Sequence, residues 1–134
     1  MTTHALADEA RCACGSGDEY GSCCGPLHAG RRAAATAVQL MRSRYTAFVV
    51  GDVGYLRRTW HPRTRPGALE LGSAIRWLRL DILDTVAGGP FDNRGEVEFR
   101  AIHRDGDGRH VLHERSRFVR ENRRWSYVDG DIRS

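Results

Sequence analysis

Apolar side chains recur at helical spacing over Val38, Met41, Tyr45, Phe48 and Val49, which predicts a helix with one buried face. Thr36 stands where an N-cap is needed, and Gln39 three residues on completes a capping box. Gly51 is a natural stop. Asp52 then opens a second short helix through about Arg58, with Val53, Leu56 and Trp60 on its apolar face. Trp60-His61-Pro62 ends that helix, Pro66-Gly67 begins a turn, and Ala68–Gly72 reads as a single helical turn. Beyond it the period changes from 3.6 to two. Leu78, Leu80 and Ile82 alternate with Arg79 and Asp81, and Val97, Phe99 and Ala101 share one side of a strand over Glu96–Ile102. Asp105-Gly106-Asp107-Gly108 is a hairpin turn, Arg109–Arg120 a long strand, and Glu121-Asn122-Arg123 a second turn. Trp125 and Tyr127 share one face of a last strand.

Two or three helices followed by four antiparallel strands specify an α+β architecture, with the helices on one face of the sheet. On the long strand, Leu112, Glu114, Ser116 and Phe118 lie on one side, and His113, Arg115, Arg117 and Val119 on the other. If the first side meets the helices, the Glu114 carboxylate is buried and needs a partner. Arg44 or Arg42 of the first helix is the natural choice, because an unpaired buried carboxylate is costly. The second side reads as solvated or facing another subunit.

The apolar pattern does not explain the chain's amino end. All four cysteines fall within thirteen residues, as Cys12-Ala13-Cys14, eight residues, then Cys23-Cys24. Disulfides fit this poorly: Cys12 and Cys14 are too close for easy bridging, and a vicinal Cys23–Cys24 bridge strains its peptide. Two close pairs across a loop can instead place four thiolates around one tetrahedral ion. Thiolate ligands favour zinc, with iron as competitor. His28, four residues after Cys24, is the alternative fourth ligand. Gly15, Gly17, Gly21 and Gly25 let the backbone turn tightly and free N–H groups to face sulfur. Four protein ligands leave no open position, so the expected ion is structural Zn2+.

The run Cys12-Ala-Cys14-Gly15-Ser16-Gly17, with Tyr20 and Cys23-Cys24-Gly25, resembles the SEC-C zinc knuckle of the SecA translocation motor. The remainder resembles the YchJ-like (UPF0225) family. That likeness is carried by Met41-Arg42-Ser43-Arg44-Tyr45, Thr59-Trp60-His61-Pro62, Glu114-Arg115-Ser116-Arg117-Phe118 and Trp125-Ser-Tyr127-Val-Asp129-Gly130. The resemblance implies an NTF2-like (cystatin-like) cone, a curved sheet wrapped on helices around a pocket. The expected division is a knuckle over residues 1–30 and an NTF2-like domain over 31–134.

Composition then narrows the function. The 134 residues are enough for one domain and a small appendage. No stretch approaches the roughly 20 apolar residues of a membrane span, and residues 1–9 carry no secretory pattern, so a cytoplasmic protein is expected. All 21 basic residues are Arg, against 17 acidic ones, for a net charge of +4. GC-rich codon usage explains the bias, and so mild an excess argues against nucleic acid as partner. Candidates for the pocket are Arg44, Tyr45, Trp60, His61, Glu114, Ser116, Trp125 and Tyr127; Trp77 also offers a ring to a flat ligand. No nucleophile motif and no phosphate loop appears.

The expected function is that of a zinc-binding accessory protein that takes a protein partner at the knuckle and a small molecule in the cone. One alternative is an acid–base enzyme of isomerase or dehydratase type, using His61 and Glu114 as catalytic residues. Another is an RNA or ribosome binder using Arg31, Arg32, Arg57, Arg58 and the Arg115–Arg124 region. A homodimer through the open sheet face is compatible with either.

Overall fold

In the computed structural model, which describes residues 5–72 and 74–133, the two longest helices begin at the residues that their cap chemistry dictates. The elements are a 3-10 turn (Tyr20–Ser22), α1 (Cys24–His28), α2 (Ala37–Val50), α3 (Val53–Arg58), β1 (Arg76–Ala87), β2 (Arg94–Asp105), β3 (Gly108–Glu121) and β4 (Arg124–Ile132). The Thr36 hydroxyl accepts from the Gln39 N–H at 3.1 Å. The Gln39 amide oxygen reaches back to the Ala35 N–H at 2.6 Å, one residue earlier than a capping box requires. Gly51 ends α2 in the left-handed region at φ 78°, where a Cβ would be strained. The Asp52 carboxylate then caps α3 by accepting from the Tyr55 N–H at 2.9 Å.

The four strands form one antiparallel, curved sheet in chain order, with α2 across its inner face. This is the expected α+β layer. Val97, Phe99 and Ala101 pair across β2–β3 with Ser116, Glu114 and Leu112, so these six share the inner face. Val97, Phe99, Ala101 and Leu112 meet Ala37, Leu40, Met41 and Tyr45 of α2, together with Leu80, Phe118 and Trp125, in the main core. Close approach at one end depends on glycine. A Cβ on Gly95 would lie 2.5 Å from Gly88 Cα and 3.0 Å from Ala37 Cβ, so only a bare backbone lets the start of α2 touch the sheet.

Three expectations need correction. α2 is not buried on one face only: Ser43, Arg44, Thr46 and Ala47 are buried as well, because the cysteine segment covers its far side. Ala68–Gly72 is not helical; Leu69 and Leu71 instead pack on Ala47, Tyr55 and Leu56. Leu78 does not share a face with Leu80. Trp77 pairs with His103 and Arg79 with Ile102, so Leu78 is the extra residue of a β-bulge and is 44% exposed. A second bulge at Leu83 leaves that side chain 41% exposed.

The outer face carries a network of ion pairs. Arg115 meets Asp84, Glu96 and Glu98, and Glu98 also accepts from His113 at 2.8 Å. Arg117 meets Asp129 and Asp131. These pairs tie all four strands together on the solvent side.

Candidate metal centre and sheet interior

The glycines around the cysteines act through space as well as torsion. Gly15 and Gly17 have φ of 81° and 91°. A Cβ on Gly25 would stand 2.7 Å from the Tyr20 carbonyl oxygen. The loop can therefore fold back tightly enough to bring Cys12 and Cys14 against Cys23 and Cys24. All four Sγ atoms lie within 4.8 Å of one another, and none is in a disulfide. Four Zn–S bonds of ~2.3 Å in a tetrahedron set sulfur–sulfur edges of about 3.8 Å. The Cys14–Cys23 and Cys23–Cys24 separations are 3.6 Å and 3.9 Å. The donor set and its spacing fit a tetrahedral ion.

Hydrogen bonding from Cys12, and then from Cys24, holds the Cys14 thiol far below its ordinary range. The same crowding by Cys12 and Cys14 pushes Cys24 far above it, and burial pushes Cys23 up to about 11. One thiolate thus forms readily while its neighbours hold their protons, which a bound cation would displace.

Of the two candidates for a fourth ligand, Cys24 is in the cluster and His28 is not. Both His28 nitrogens are engaged: Nδ1 accepts from the Tyr20 hydroxyl at 2.7 Å, and Nε2 donates to the Ser43 carbonyl at 2.8 Å. Burial lowers the His28 pKa, which favours this neutral tautomer.

The sulfur environment differs from expectation. Among the described residues the groups hydrogen-bonded to cysteine sulfur, other than cysteine itself, are hydroxyls and the Ser16 backbone, not glycine N–H groups. Ser16 Oγ lies 3.2 Å from Cys23 Sγ, and Thr46 Oγ1 lies 3.7 Å from Cys12 Sγ. Thr46 belongs to α2, so the metal centre reaches into the sheet-bearing part of the chain. Arg42 reinforces the junction by donating to the Cys14 carbonyl at 2.6 Å, as does Arg58 to the His28 carbonyl at 2.6 Å. Leu27 packs with Ala47, Tyr55 and Leu56.

The pocket candidates converge only in part. Arg44 is 4% exposed and makes no ion pair with Glu114, contrary to expectation. Its Nη1 donates to Leu56 O at 2.8 Å and Thr59 Oγ1 at 2.7 Å, closing the end of α3. The guanidinium lies against both the Trp60 and Tyr127 rings, at 5.1 Å and 4.8 Å from their centroids. Burial lowers its pKa to about 10, so it stays charged near neutral pH. Arg42, the other expected partner, is committed to the cysteine segment. Glu114 is satisfied by hydroxyls: Ser116 donates to it at 2.6 Å and Tyr127 at 3.2 Å.

His61 sits apart from this group. Its Nε2 is 2.9 Å from Glu121, and its Nδ1 accepts from the Arg63 N–H at 3.1 Å. Hence His61 and Glu114 each have other partners and do not touch. Trp60 Nε1 is buried with no hydrogen-bond partner. Tyr45 and Trp125 are 3% and 4% exposed and fill the interior, where Trp125 donates to the Ala35 carbonyl at 3.2 Å. Trp77 packs on Tyr45 and Phe48.

Several of the arginines offered for RNA are engaged in holding the fold. Arg32 donates to the Cys23 carbonyl, Arg57 to the Pro66 carbonyl, and Arg115 and Arg117 are ion-paired. Among the described residues no helix is long and apolar enough to cross a membrane.

Comparison with known proteins agrees with this arrangement. Residues 36–130 match the family model described as YchJ, middle NTF2-like domain. A UPF0225 protein of Streptomyces coelicolor is 54% identical over 121 residues, covering 90% of this chain and 94% of its own. A UPF0225 protein of Ralstonia nicotianae is 50% identical over 140 residues, covering 96% of this chain and 95% of its own. Among solved structures, a SEC-C motif containing protein from Rhodopseudomonas palustris superposes with a TM-score of 0.81 at 36% identity, over 92% of this chain and 99% of that one. A sec-c motif containing protein from Psychrobacter arcticus gives 0.76 at 25% identity, over 95% and 85%.

Proposed function

The chain belongs to the UPF0225 family, with a YchJ-type NTF2-like domain, and from that membership and the cysteine geometry we propose that it is a zinc-holding accessory protein whose work is binding rather than turnover. The observation that carries the reading is the tetrahedral spacing of Cys12, Cys14, Cys23 and Cys24 beside α2. Zinc at this centre is coordinatively complete and does no chemistry of its own. It supplies folding free energy to a segment with almost no apolar core, on the order of 10 kcal/mol in comparable small sites. The ion acts as a rivet, since its ligands are hydrogen-bonded to Thr46 and its flanks to Ser43 and Arg42. It thereby fixes a knuckle surface beside the NTF2-like domain, where a protein partner docks.

Binding rather than turnover is supported by the interior, where the acid and the base that an enzyme would need are separately occupied. The decisive experiment is elemental analysis of untagged protein purified from the cytoplasmic fraction. About one zinc per chain is expected; protein with neither zinc nor iron overturns the reading.

A further inference from the structure

Tyr45 and Trp125 occupy the NTF2-like interior, and a groove of about 740 Å³ opens at one end of the sheet, between the β1–β2 connection, the end of β3 and the loop after α3. That volume falls within the range of about 300–1,000 Å³ typical of small-molecule sites. Its wall combines two kinds of side chain. Val86, Val119 and Val128 supply an apolar floor, and Arg63, Arg94 and Arg120 supply guanidinium groups.

Charge in this wall is unevenly committed. Glu96 is bound by Arg115, Glu121 by His61, and Asp129 by Arg117. Arg117 is committed in turn to Asp129 and Asp131. Among the described residues the Arg63, Arg94 and Arg120 side chains have neither a carboxylate partner nor a hydrogen bond, in contrast with Arg115 and Arg117 on the same sheet. Three free guanidinium groups beside apolar floor and three occupied carboxylates make a site for negative charge.

The groove is also built rather than draped. The loop bearing Arg63 is fastened to β4: the His61 N–H donates to Tyr127 O at 2.8 Å and Thr64 Oγ1 to Val128 O at 2.5 Å. The opposite wall contains Ala87 at φ 53°, a left-handed conformation that disfavours a Cβ and is held by the surrounding pairing. Arg120 is positioned by its own N–H, which donates to the Asn93 carbonyl at 2.8 Å.

We propose that this groove binds a small amphipathic anion: one phosphate or carboxylate head held by Arg63, Arg94 and Arg120, and a short apolar tail laid over Val86, Val119 and Val128. The ligand site of this NTF2-like domain then lies at the mouth formed by the sheet end and the His61–Arg65 loop, not in the cone. Head and tail are both needed. An inorganic ion would leave the valines exposed, and a neutral chain would leave the arginines unpaired.

The inference goes beyond the zinc reading and is tested on the zinc-loaded full chain, so its failure leaves the metal centre untouched. The probes are octyl phosphate and octanoate, with inorganic phosphate and octanol as controls, followed by amide chemical shifts during titration. Saturable shifts centred on residues 86–95 and 117–121 are expected, with both controls at least tenfold weaker. R63A and R94A, at exposed positions, should each weaken binding about tenfold or more without moving the thermal unfolding midpoint. Four results overturn the proposal. These are no saturation by either probe at millimolar concentration, shifts centred on Trp60 and Glu114, undiminished affinity in both variants, or inorganic phosphate binding as tightly as octyl phosphate. Octanoate and octyl phosphate binding with different strength identifies which head the arginines favour.

Discussion

The cysteine segment and the sheet are ordered by different physics. The sheet rests on apolar burial: Val97, Phe99 and Phe118 are almost fully removed from water, and the solvent side is laced by ion pairs. The cysteine segment has little more than Leu27 to bury, and its order comes from four sulfurs, a few hydroxyls and whatever ion they hold. One region is stable by area, the other by coordination. The two share α2, which gives Met41 and Tyr45 to the sheet and Ser43 and Thr46 to the knuckle. A single helix thus reports on both.

The strongest way to break this contrast is to remove a ligand. Cys14→Ser should abolish metal binding and forfeit a stabilisation on the order of 10 kcal/mol within the knuckle. Hydrogen exchange should then show lost protection over residues 10–28 and the knuckle-facing side of α2, with β2 and β3 still protected. Equal loss in β2 would show that the two regions fold as one unit. Phe118→Ala is the complementary change. It should destabilise the chain by about 3–5 kcal/mol in urea unfolding while the metal content of the folded protein stays unchanged. Thr46→Val probes the junction: deleting the hydroxyl beside Cys12 should cost about 1 kcal/mol and hasten metal release to a chelator, with the sheet core intact.

Acid should separate the regions too. The His28 pKa is lowered from 6.5 by burial, so the unfolded knuckle binds a proton more readily than the folded one. The stability that neutral His28 contributes is complete above pH 6.5 and falls as pH drops below it toward the folded pKa. In apo protein, His28→Gln should flatten that slope in exchange-detected opening of the knuckle. The smallest expected effect lies in the β3–β4 turn. Asn122 and Arg123 both adopt positive φ, 52° and 65°, the geometry that an Asn-Gly pair favours. Arg123→Gly should therefore stabilise the fold by about 0.5–1 kcal/mol, read as a higher unfolding temperature.

What could be read from the sequence follows the same division. Local rules located Thr36, Gly51, Asp52 and the two hairpin turns because each acts through backbone within three residues of itself. The cysteine spacing was readable because coordination geometry is short-ranged. The bulges at Leu78 and Leu83 were not, since alternation on one strand does not reveal an extra residue relative to its neighbour. Sequence pattern assigns Arg44 to Glu114, whereas its burial depends on Trp60 and Tyr127 arriving from elsewhere. Thr46 meets Cys12 across 34 residues, and the groove arginines come from three separate elements. Such meetings are products of the tertiary fold and leave no local pattern.

The strictly sequential strand order has a kinetic consequence. Every pairing in the sheet joins a strand to the next one along the chain, so each closure spans a short loop and loses little chain entropy. The meander can zip hairpin by hairpin, each strand adding to the one before it. The slow events should then be the capture of α2 between sheet and knuckle and the docking of the His61–Arg65 loop on β4, steps that must gather segments far apart in the chain.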